Sequence, residues 1–279
     1  MQICEFLKDL DVVFMVESTY NYDIFNYAKG MGVKTINQYN WEFLDYGENP
    51  SLLKPDLFVA PTLWHYEELP FYNKAYLPVP VNRKVLPFVK RTKIKTILHI
   101  AGKELYEDRN GTNIFIESIP YIDPSIEIVI LSQHKISCGD FKNVNVYQND
   151  FKNYYEMYNT GDVLVMPRKY GGLCLPLNES SSVGMIPIMT DVSPQSTMLS
   201  GINLVKPYKS KILPKLRMPV TSYEVNPVML AKHINKLAEC DEKTIGKYSE
   251  LSDRYAESIS WDKMLPKYIK MMERLVEEK

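Results

Sequence analysis

One stretch of the sequence places a glycine pair and a carboxylate between two apolar segments. Residues 162–191 read DVLVMPRKYGGLCLPLNESSSVGMIPIMTD. Gly171 and Gly172 lack Cβ atoms, so the backbone there can turn sharply and bring its amides close to a ligand. Pro176 suits the first turn of a helix, where free N–H groups and the positive dipole end favour phosphate. Glu179, predicted to lie in that first turn, is placed to accept hydrogen bonds from a diol such as that of a ribose.

These residues need a strand before them and a helix and a second strand after them. Residues 162–166 form a short β-branched run that suits a buried parallel strand. Gly184 is expected to end the helix, and residues 186–189 start the next strand. The same order also describes an ordinary strand–helix crossover, with Glu179 as a solvated charge. Glycine loops are common, so the residues alone leave both interpretations open.

The segment also resembles a family signature. It is similar to the nucleotide-sugar signature of family 4 glycosyltransferases with the GT-B fold, roughly P-S-x-x-E-G-F-G-L-x-x-x-E-A and then G-x-P-V-x-x-S/T-D. Here it reads PRKYGGLCLPLNES and then GMIPIMTD. The resemblance implies that Glu179 binds the donor ribose. It also implies that the loop amides of four residues face the donor sugar and phosphate: Gly172, Leu173, Cys174 and Leu175. The family's first glutamate, which usually contacts the sugar, is Gly171 here.

Further donor-binding residues are implied by a second segment. HIAGKELYEDRNGTNIFIES resembles the family's G-R-x-x-x-K-G segment, whose two cations hold the donor diphosphate. Lys103 stands in for the arginine, and Arg109 lies at or beside the lysine. Cations preorganised in a dry cleft stabilise the charge that a departing diphosphate gains. Arg168 and Lys169 could also reach phosphate, and Gln133 lies where the family reads the donor base. A solvated loop is the alternative for each of these residues.

Candidate acceptor-side residues follow apolar strands in the first part of the chain. Glu17 ends VVFMVE, Asn40 and Glu42 follow TINQY, and His65 follows a third strand. The carboxyl ends of such strands are where open α/β sheets bind their ligands. A carboxylate in a partly dry cleft can act as a general base on an acceptor hydroxyl. Glu17 and Glu42 are therefore predicted to be catalytic together with Arg109, and capping or packing is the alternative role.

The layout of the chain indicates an α/β fold with parallel sheets, because apolar strand-like runs alternate with helical stretches. The proline-rich basic segment PVPVNRKVLPFVKRTK is typical of a linker. We expect a GT-B-like arrangement of two Rossmann-like domains facing a cleft. A shortened acceptor-side domain covers residues 1–88, the nucleotide-sugar-binding domain covers residues 89–261, and a C-terminal helix at residues 262–279 crosses back. Residues 206–220 are predicted to be a loop.

Composition narrows the classes of protein. The 279 residues are 45% hydrophobic and 24% charged, with a formal net charge of -1. This composition is typical of a soluble globular protein. The net charge is near zero, so the protein as a whole is not attracted electrostatically to nucleic acid or to a membrane. No apolar run approaches the length of a membrane-spanning helix. The four cysteines are scattered, which favours free thiols in a reducing cytoplasm over disulfides or zinc.

The resemblance implies a cytoplasmic, retaining and metal-independent glycosyltransferase that uses a nucleotide-diphosphate sugar as donor and needs no cofactor. The acceptor stays open between a glycan, a small molecule and a modified DNA base. The last is suggested by a likeness to phage-encoded members with a shortened first domain and by two basic stretches, KRTKIK and KPYKSKILPKLR. The alternative is a non-catalytic nucleotide-sugar or carbohydrate-binding protein of degenerate GT-B fold, which Gly171 would favour.

Overall fold

The chain divides into two compact units. The computed structural model describes residues 3–47, 51–102, 108–148, 151–198, 204–214 and 216–278. The first unit contains Met1–Pro80, Leu213–Val220 and Trp261–Lys279, and the second contains Val81–Ile212 and Thr221–Ser260. The structure thus divides the first part of the chain at Pro80 and Val81 rather than at residue 88, and it adds Leu213–Val220 to the first unit.

The first unit is built on a four-stranded parallel sheet in the order β1-β2-β3-β4. The strands are β1 (Val12–Glu17), β2 (Lys34–Tyr39), β3 (Leu57–Ala60) and β4 (Lys74–Tyr76). Its helices are α1 (Ile3–Leu7), α2 (Ile24–Met31) and α8 (Trp261–Glu277). Every residue of β3 is buried, as expected for a strand in the interior of a parallel sheet.

The C-terminal helix α8 packs within the first unit. Tyr268 donates a hydrogen bond from its hydroxyl to the carbonyl of Pro78 at 3.1 Å and accepts one from Gln38 Nε2 at 3.0 Å. Its ring lies 6.0 Å from that of Phe14. These contacts attach α8 to β1, to β2 and to the segment after β4.

The second unit is built on a six-stranded parallel sheet in the order β10-β9-β8-β5-β6-β7. Its strands are β5 (Thr96–Gly102), β6 (Glu127–Ser132), β7 (Val144–Tyr147), β8 (Val163–Met166), β9 (Ile186–Thr190) and β10 (Leu204–Val205). Its helices are α3 (Thr112–Ser118), α4 (Leu175–Ser182), α5 (Gln195–Met198), α6 (Pro227–Ala238) and α7 (Glu242–Ser258). The strands that follow β5 in the chain, β6 and β7, extend the sheet toward one edge. The strands that follow β8, namely β9 and β10, extend it toward the opposite edge. The neighbours β5 and β8 therefore form the topological switch point, where such sheets bind ligands.

The local structure differs from the predictions at two segments and includes four short elements that were not predicted. The basic segment at residues 206–220 is only partly a loop, because its first half forms β11 (Pro207–Leu213), which pairs with β12 (Val220–Val225) in a two-stranded sheet. The sequence predicts a helix over residues 152–158, and the structure has a 3-10 helix, Tyr154–Thr160, in its place. The elements α1, β4, α5 and β10 were not predicted, and all four are five residues long or shorter.

From Val81 onward, the segment predicted as a linker belongs to the second unit and packs within it. Leu86 is buried, and its carbonyl accepts a hydrogen bond from Ser182 Oγ at 2.7 Å. Arg83 forms an ion pair with Asp253 at 2.5 Å, and Val81 donates its amide to the carbonyl of Ile259 at 3.0 Å. Proline content indicated irregular backbone, which is correct, but these contacts fix that backbone. None of the described helices is both long and apolar enough to cross a bilayer.

Candidate functional site

The glycine loop of the second unit connects β8 to the start of α4. Pro176 lies in the first turn of α4, as predicted. The helix begins at Leu175, so Glu179 lies one turn into α4 rather than in its first turn. Gly172, Leu173 and Cys174 precede the helix, and within the described residues no hydrogen bond from their amides or from that of Leu175 is found. These N–H groups at a helix start are suited to an anionic ligand.

Glu179 is held in place by a tyrosine from the preceding segment. Tyr158, almost fully buried, donates its hydroxyl hydrogen bond to Glu179 Oε2 at 2.5 Å. Burial raises the pKa of Glu179, and the bond from Tyr158 partly opposes that rise. Burial and the neighbouring carboxylate raise the pKa of Tyr158 well above its ordinary value, so it stays a donor. Because Tyr158 occupies one oxygen, Glu179 keeps Oε1 for a second donor.

The loop after β5 is tied to the loop after β8 at the switch point. Gly111 has φ 73°, and a Cβ there would lie 2.2 Å from the carbonyl oxygen of Pro167, so only glycine fits. Lys169 donates its amide to the carbonyl of Arg109 at 2.9 Å. Asn110 Nδ2 donates to the carbonyl of Ala101 at 3.0 Å. These contacts fix the backbone at Arg109 and at the two residues that follow it.

Arg109 lines a cavity of about 320 Å³ at the carboxyl ends of β5 and β6. The other lining residues come from those strands, from α3 and from the loop after β6: Ala101, Gly102, Asp108, Asn110, Thr112, Asn113, Ile116, Ser132, His134, Lys135, Ile136 and Ser137. Gln133 is not among the lining residues, although both of its neighbours are, and its amide donates to the carbonyl of Gly102 at 3.2 Å. Lys103 lies outside the described residues, so its role stays a prediction.

Lys169 is engaged in ion pairs rather than directed at a ligand. Its Nζ lies 3.2 Å from Asp108 Oδ2 and 3.6 Å from Glu224 Oε1. The other Asp108 oxygen accepts the amide of Thr112 at 2.7 Å, at the start of α3. The phosphate contact considered for Lys169 is therefore unsupported, because its charge is balanced by two carboxylates.

Arg168 lies beneath the glycine loop. Only 3% of the residue is exposed, and its Nε donates to the carbonyl of Tyr170 at 2.9 Å. A Cβ on Gly171, where φ is 118°, would lie 2.4 Å from Arg168 Nη2. The guanidinium therefore fills the space that a side chain at position 171 would need. Within the described residues its Nη2 is buried without a hydrogen-bond partner.

His99, which the sequence did not single out, is a fully buried link between three elements. His99 lies on β5. Its Nδ1 is 2.8 Å from the carbonyl oxygen of Val165 on β8, and its Nε2 is 2.9 Å from Thr112 Oγ1 on α3. Burial lowers the pKa of His99 to about 4, so the ring is neutral at pH 7. A carbonyl only accepts, so Nδ1 carries the proton and Nε2 accepts from the threonine. His99 thus positions the start of α3, which lines the cavity.

The first unit gathers its predicted polar residues at the carboxyl ends of β1, β2 and β3. Asn40 Nδ2 lies 3.5 Å from Glu17 Oε1. Glu17 and His65 have positive φ values of 68° and 54°, which is uncommon for residues other than glycine. Trp41 stacks on His65 with ring centroids 4.6 Å apart. Glu42, next to Trp41, is 2% exposed.

His65 also approaches a carboxylate on its own loop. Its Nδ1 lies 2.8 Å from Glu68 Oε2, an ion-pair distance whose direction does not meet hydrogen-bond geometry. Between the stacked indole and this carboxylate, the His65 ring is held as part of the loop after β3. Glu17 and Asn40, each predicted to lie at the carboxyl end of a strand, are brought together by the structure.

Comparison with solved structures identifies the fold. A glycosyltransferase from Rickettsia africae ESF-5 superposes with a TM-score of 0.74 and 12% identity, over 99% of this chain and 80% of that one. Anabaena HepE in complex with UDP and glucose superposes with a TM-score of 0.70 and 8% identity, over 98% of this chain and 81% of that one. The pneumococcal O-GlcNAc transferase GtfA in complex with UDP and GlcNAc superposes with a TM-score of 0.68 and 13% identity, over 98% of this chain and 60% of that one. The sequence matches no protein-family model and no curated protein. The chain therefore has the predicted α/β fold of the GT-B glycosyltransferases.

Proposed function

We propose that this protein is a glycosyltransferase of family 4 type that takes a sugar from a nucleotide-diphosphate donor. The observation that carries the proposal is the second unit's switch point. There a glycine loop with unbonded amides, a carboxylate held by Tyr158 and the fixed backbone of Arg109 come from the two adjoining strands β5 and β8. Phosphate, ribose diol and leaving-group charge each have a matching group in this set.

The chemistry follows from these groups. The bond from the sugar C1 to the β-phosphate oxygen breaks, a bond from C1 to the acceptor oxygen forms, and the nucleoside diphosphate departs. Arg109 and the loop amides stabilise the charge on the leaving diphosphate, while Glu179 fixes the ribose. The acceptor proton passes to Glu42, to Glu17 or to the leaving phosphate. We propose that the reaction retains the configuration at C1. We also propose that it needs no metal, since the cations of the chain can supply the positive charge that a metal otherwise would.

The acceptor in this proposal is a hydroxyl of a glycan, a small molecule or a modified DNA base. The four cysteines are free thiols, which supports a reducing, cytoplasmic setting. A screen of donor hydrolysis over UDP-, GDP- and ADP-sugars tests the enzyme directly. Tight nucleotide binding with no hydrolysis and no transfer to any acceptor class would instead identify a non-catalytic binder.

The test of the proposed site is Glu179→Ala. Loss of the carboxylate should weaken nucleotide binding by about 1.5–3 kcal/mol, the range for a hydrogen bond to a charged group. Calorimetry with UDP, GDP and ADP measures the change. Glu239→Ala, at an exposed carboxylate just after α6, is the matched control. Unchanged affinity in Glu179→Ala would mean that the ribose does not bind at this carboxylate.

A pH profile tests how Glu179 is held. Its pKa is raised by burial, so the ionised acceptor is lost, and nucleotide affinity falls, as pH decreases through that raised pKa. Tyr158→Phe removes the bond that lowers this pKa, so the fall should begin at higher pH than in the wild type. Calorimetry across acidic and neutral pH gives the two curves, with Tyr154→Phe as control for a neighbouring tyrosine. Coincident curves would show that Tyr158 does not tune Glu179.

A further inference from the structure

Arg168 is a buried cation whose charge is not matched by the described residues. A guanidinium carries five N–H donors and stays protonated in proteins. Its Nε donates to the Tyr170 carbonyl at 2.9 Å, but Nη2 is buried without a hydrogen-bond partner, and no ion pair of Arg168 is found in the described ranges. An unpaired buried charge is strongly unfavourable, so such a group calls for an anion.

The position of Arg168 places that anion at the glycine loop. The guanidinium lies against Gly171, whose absent Cβ would come within 2.4 Å of Nη2 and 3.2 Å of Cζ. Gly171 directly precedes the loop residues whose amides are unbonded within the described part of the chain. By contrast, the adjacent cation Lys169 already has two carboxylate partners, Asp108 and Glu224. Of these two neighbouring cations, only Arg168 thus lacks a carboxylate partner within the described residues.

We propose that Arg168 is an oxyanion-binding residue of the glycine loop, which contacts a negatively charged oxygen of the donor beside Gly171. This inference rests on the proposed function and adds the charge of the group bound there. Two parts of a donor carry such an oxygen: the diphosphate, and a carboxylate on an acidic sugar. A neutral sugar hydroxyl does not match a buried guanidinium that needs an acceptor with negative charge.

Binding of three probes to wild type, Arg168→Met and Arg168→Lys tests the proposal and separates the two sources. The probes are UDP, UDP-glucose and UDP-glucuronate, measured by calorimetry on protein shown to be folded by its melting curve. If the oxyanion is the diphosphate, Arg168→Met weakens all three by about tenfold or more, as for a lost hydrogen bond to a charged group. If it is a sugar carboxylate, only UDP-glucuronate weakens. Arg168→Lys keeps the positive charge but lacks the planar set of guanidinium donors. Its affinities for the probes should therefore lie between those of the wild type and Arg168→Met.

The contrary results are distinct from a failure of the proposed function. Equal affinities in all three proteins for all three probes would overturn the role of Arg168 and leave it as a support for the loop. Absence of nucleotide binding by the wild type, tested also with GDP and ADP, would overturn the proposed function itself. If neither variant folds, Arg168→Gln, which keeps a polar side chain but removes the charge, takes the place of Arg168→Met with the same expected and contrary results.

Discussion

Replacing Arg109 by lysine is expected to lower turnover by about 10²–10³-fold, the usual effect of losing one preorganised donor to a developing charge. Donor affinity should fall much less. Lysine keeps the positive charge but replaces a planar bidentate fork by a point charge. The interaction lost is one that strengthens as the diphosphate departs, so the loss appears in kcat rather than in ground-state binding.

The structure favours a large effect because the backbone of Arg109 is preorganised. Its carbonyl accepts the amide of Lys169 at 2.9 Å, and Gly111 is in contact with the Pro167 carbonyl. A side chain on a fixed backbone can be aimed at the leaving group before the reaction begins. Single-turnover rates and donor affinity separate the two quantities, with Arg254→Lys on the exposed face of α7 as control. Wild-type turnover in Arg109→Lys would remove this residue from the site.

The local structure around the glycine loop of the second unit could be predicted from the sequence because its signals are local. A β-branched run, a glycine pair, Pro176 and Gly184 follow one another within residues 162–184, and each restricts its own backbone. The sequence also predicts a helix over residues 112–118, and α3 (Thr112–Ser118) begins and ends at those residues. The rule that ligands bind at the carboxyl ends of parallel strands likewise placed Glu17 and Asn40 at strand ends, and in the structure Asn40 Nδ2 lies 3.5 Å from Glu17 Oε1.

The contacts that hold the site could not be predicted, because they join residues far apart in the chain. Tyr158 meets Glu179 across 21 positions, and His99 meets Val165 across 66. Nothing local distinguishes Tyr158 from the other tyrosines of the chain. The sheet of β11 and β12 was missed for a related reason: its prolines and lysines are typical of loops, and strand pairing overrode that preference.

Gly171 replaces a glutamate of the family signature, and the physical reason for this difference is visible only in the structure. From the sequence, the missing glutamate suggested loss of activity. In the fold, φ is 118° and the Arg168 guanidinium occupies the space of a side chain. A glutamate could not be restored there without moving Arg168, so the two residues form one arrangement. The altered position is thus compatible with an enzyme whose donor contacts differ in charge.

The last prediction concerns the acceptor side, where we expect Glu42→Gln or Glu17→Gln to reduce transfer by about 10²–10⁴-fold, the contribution typical of a general base. Glu42 is 2% exposed, so a carboxylate there is shielded from water. Glu17 has φ 68°, a sparsely populated conformation that folds retain at functional sites. Glutamine keeps the size of either side chain and removes only its ability to accept a proton.

Donor binding should persist in both variants, since Arg109, Glu179 and the glycine loop belong to the second unit. Slow hydrolysis of the donor should persist for the same reason. Product formation and donor hydrolysis are measured in parallel, with Glu5→Gln on an exposed position of α1 as control. Normal transfer in both variants would show that neither carboxylate is the base. The acceptor proton would then pass to the leaving phosphate or to His65, whose ring is already oriented by Trp41 at 4.6 Å, and His65→Asn would decide between those two.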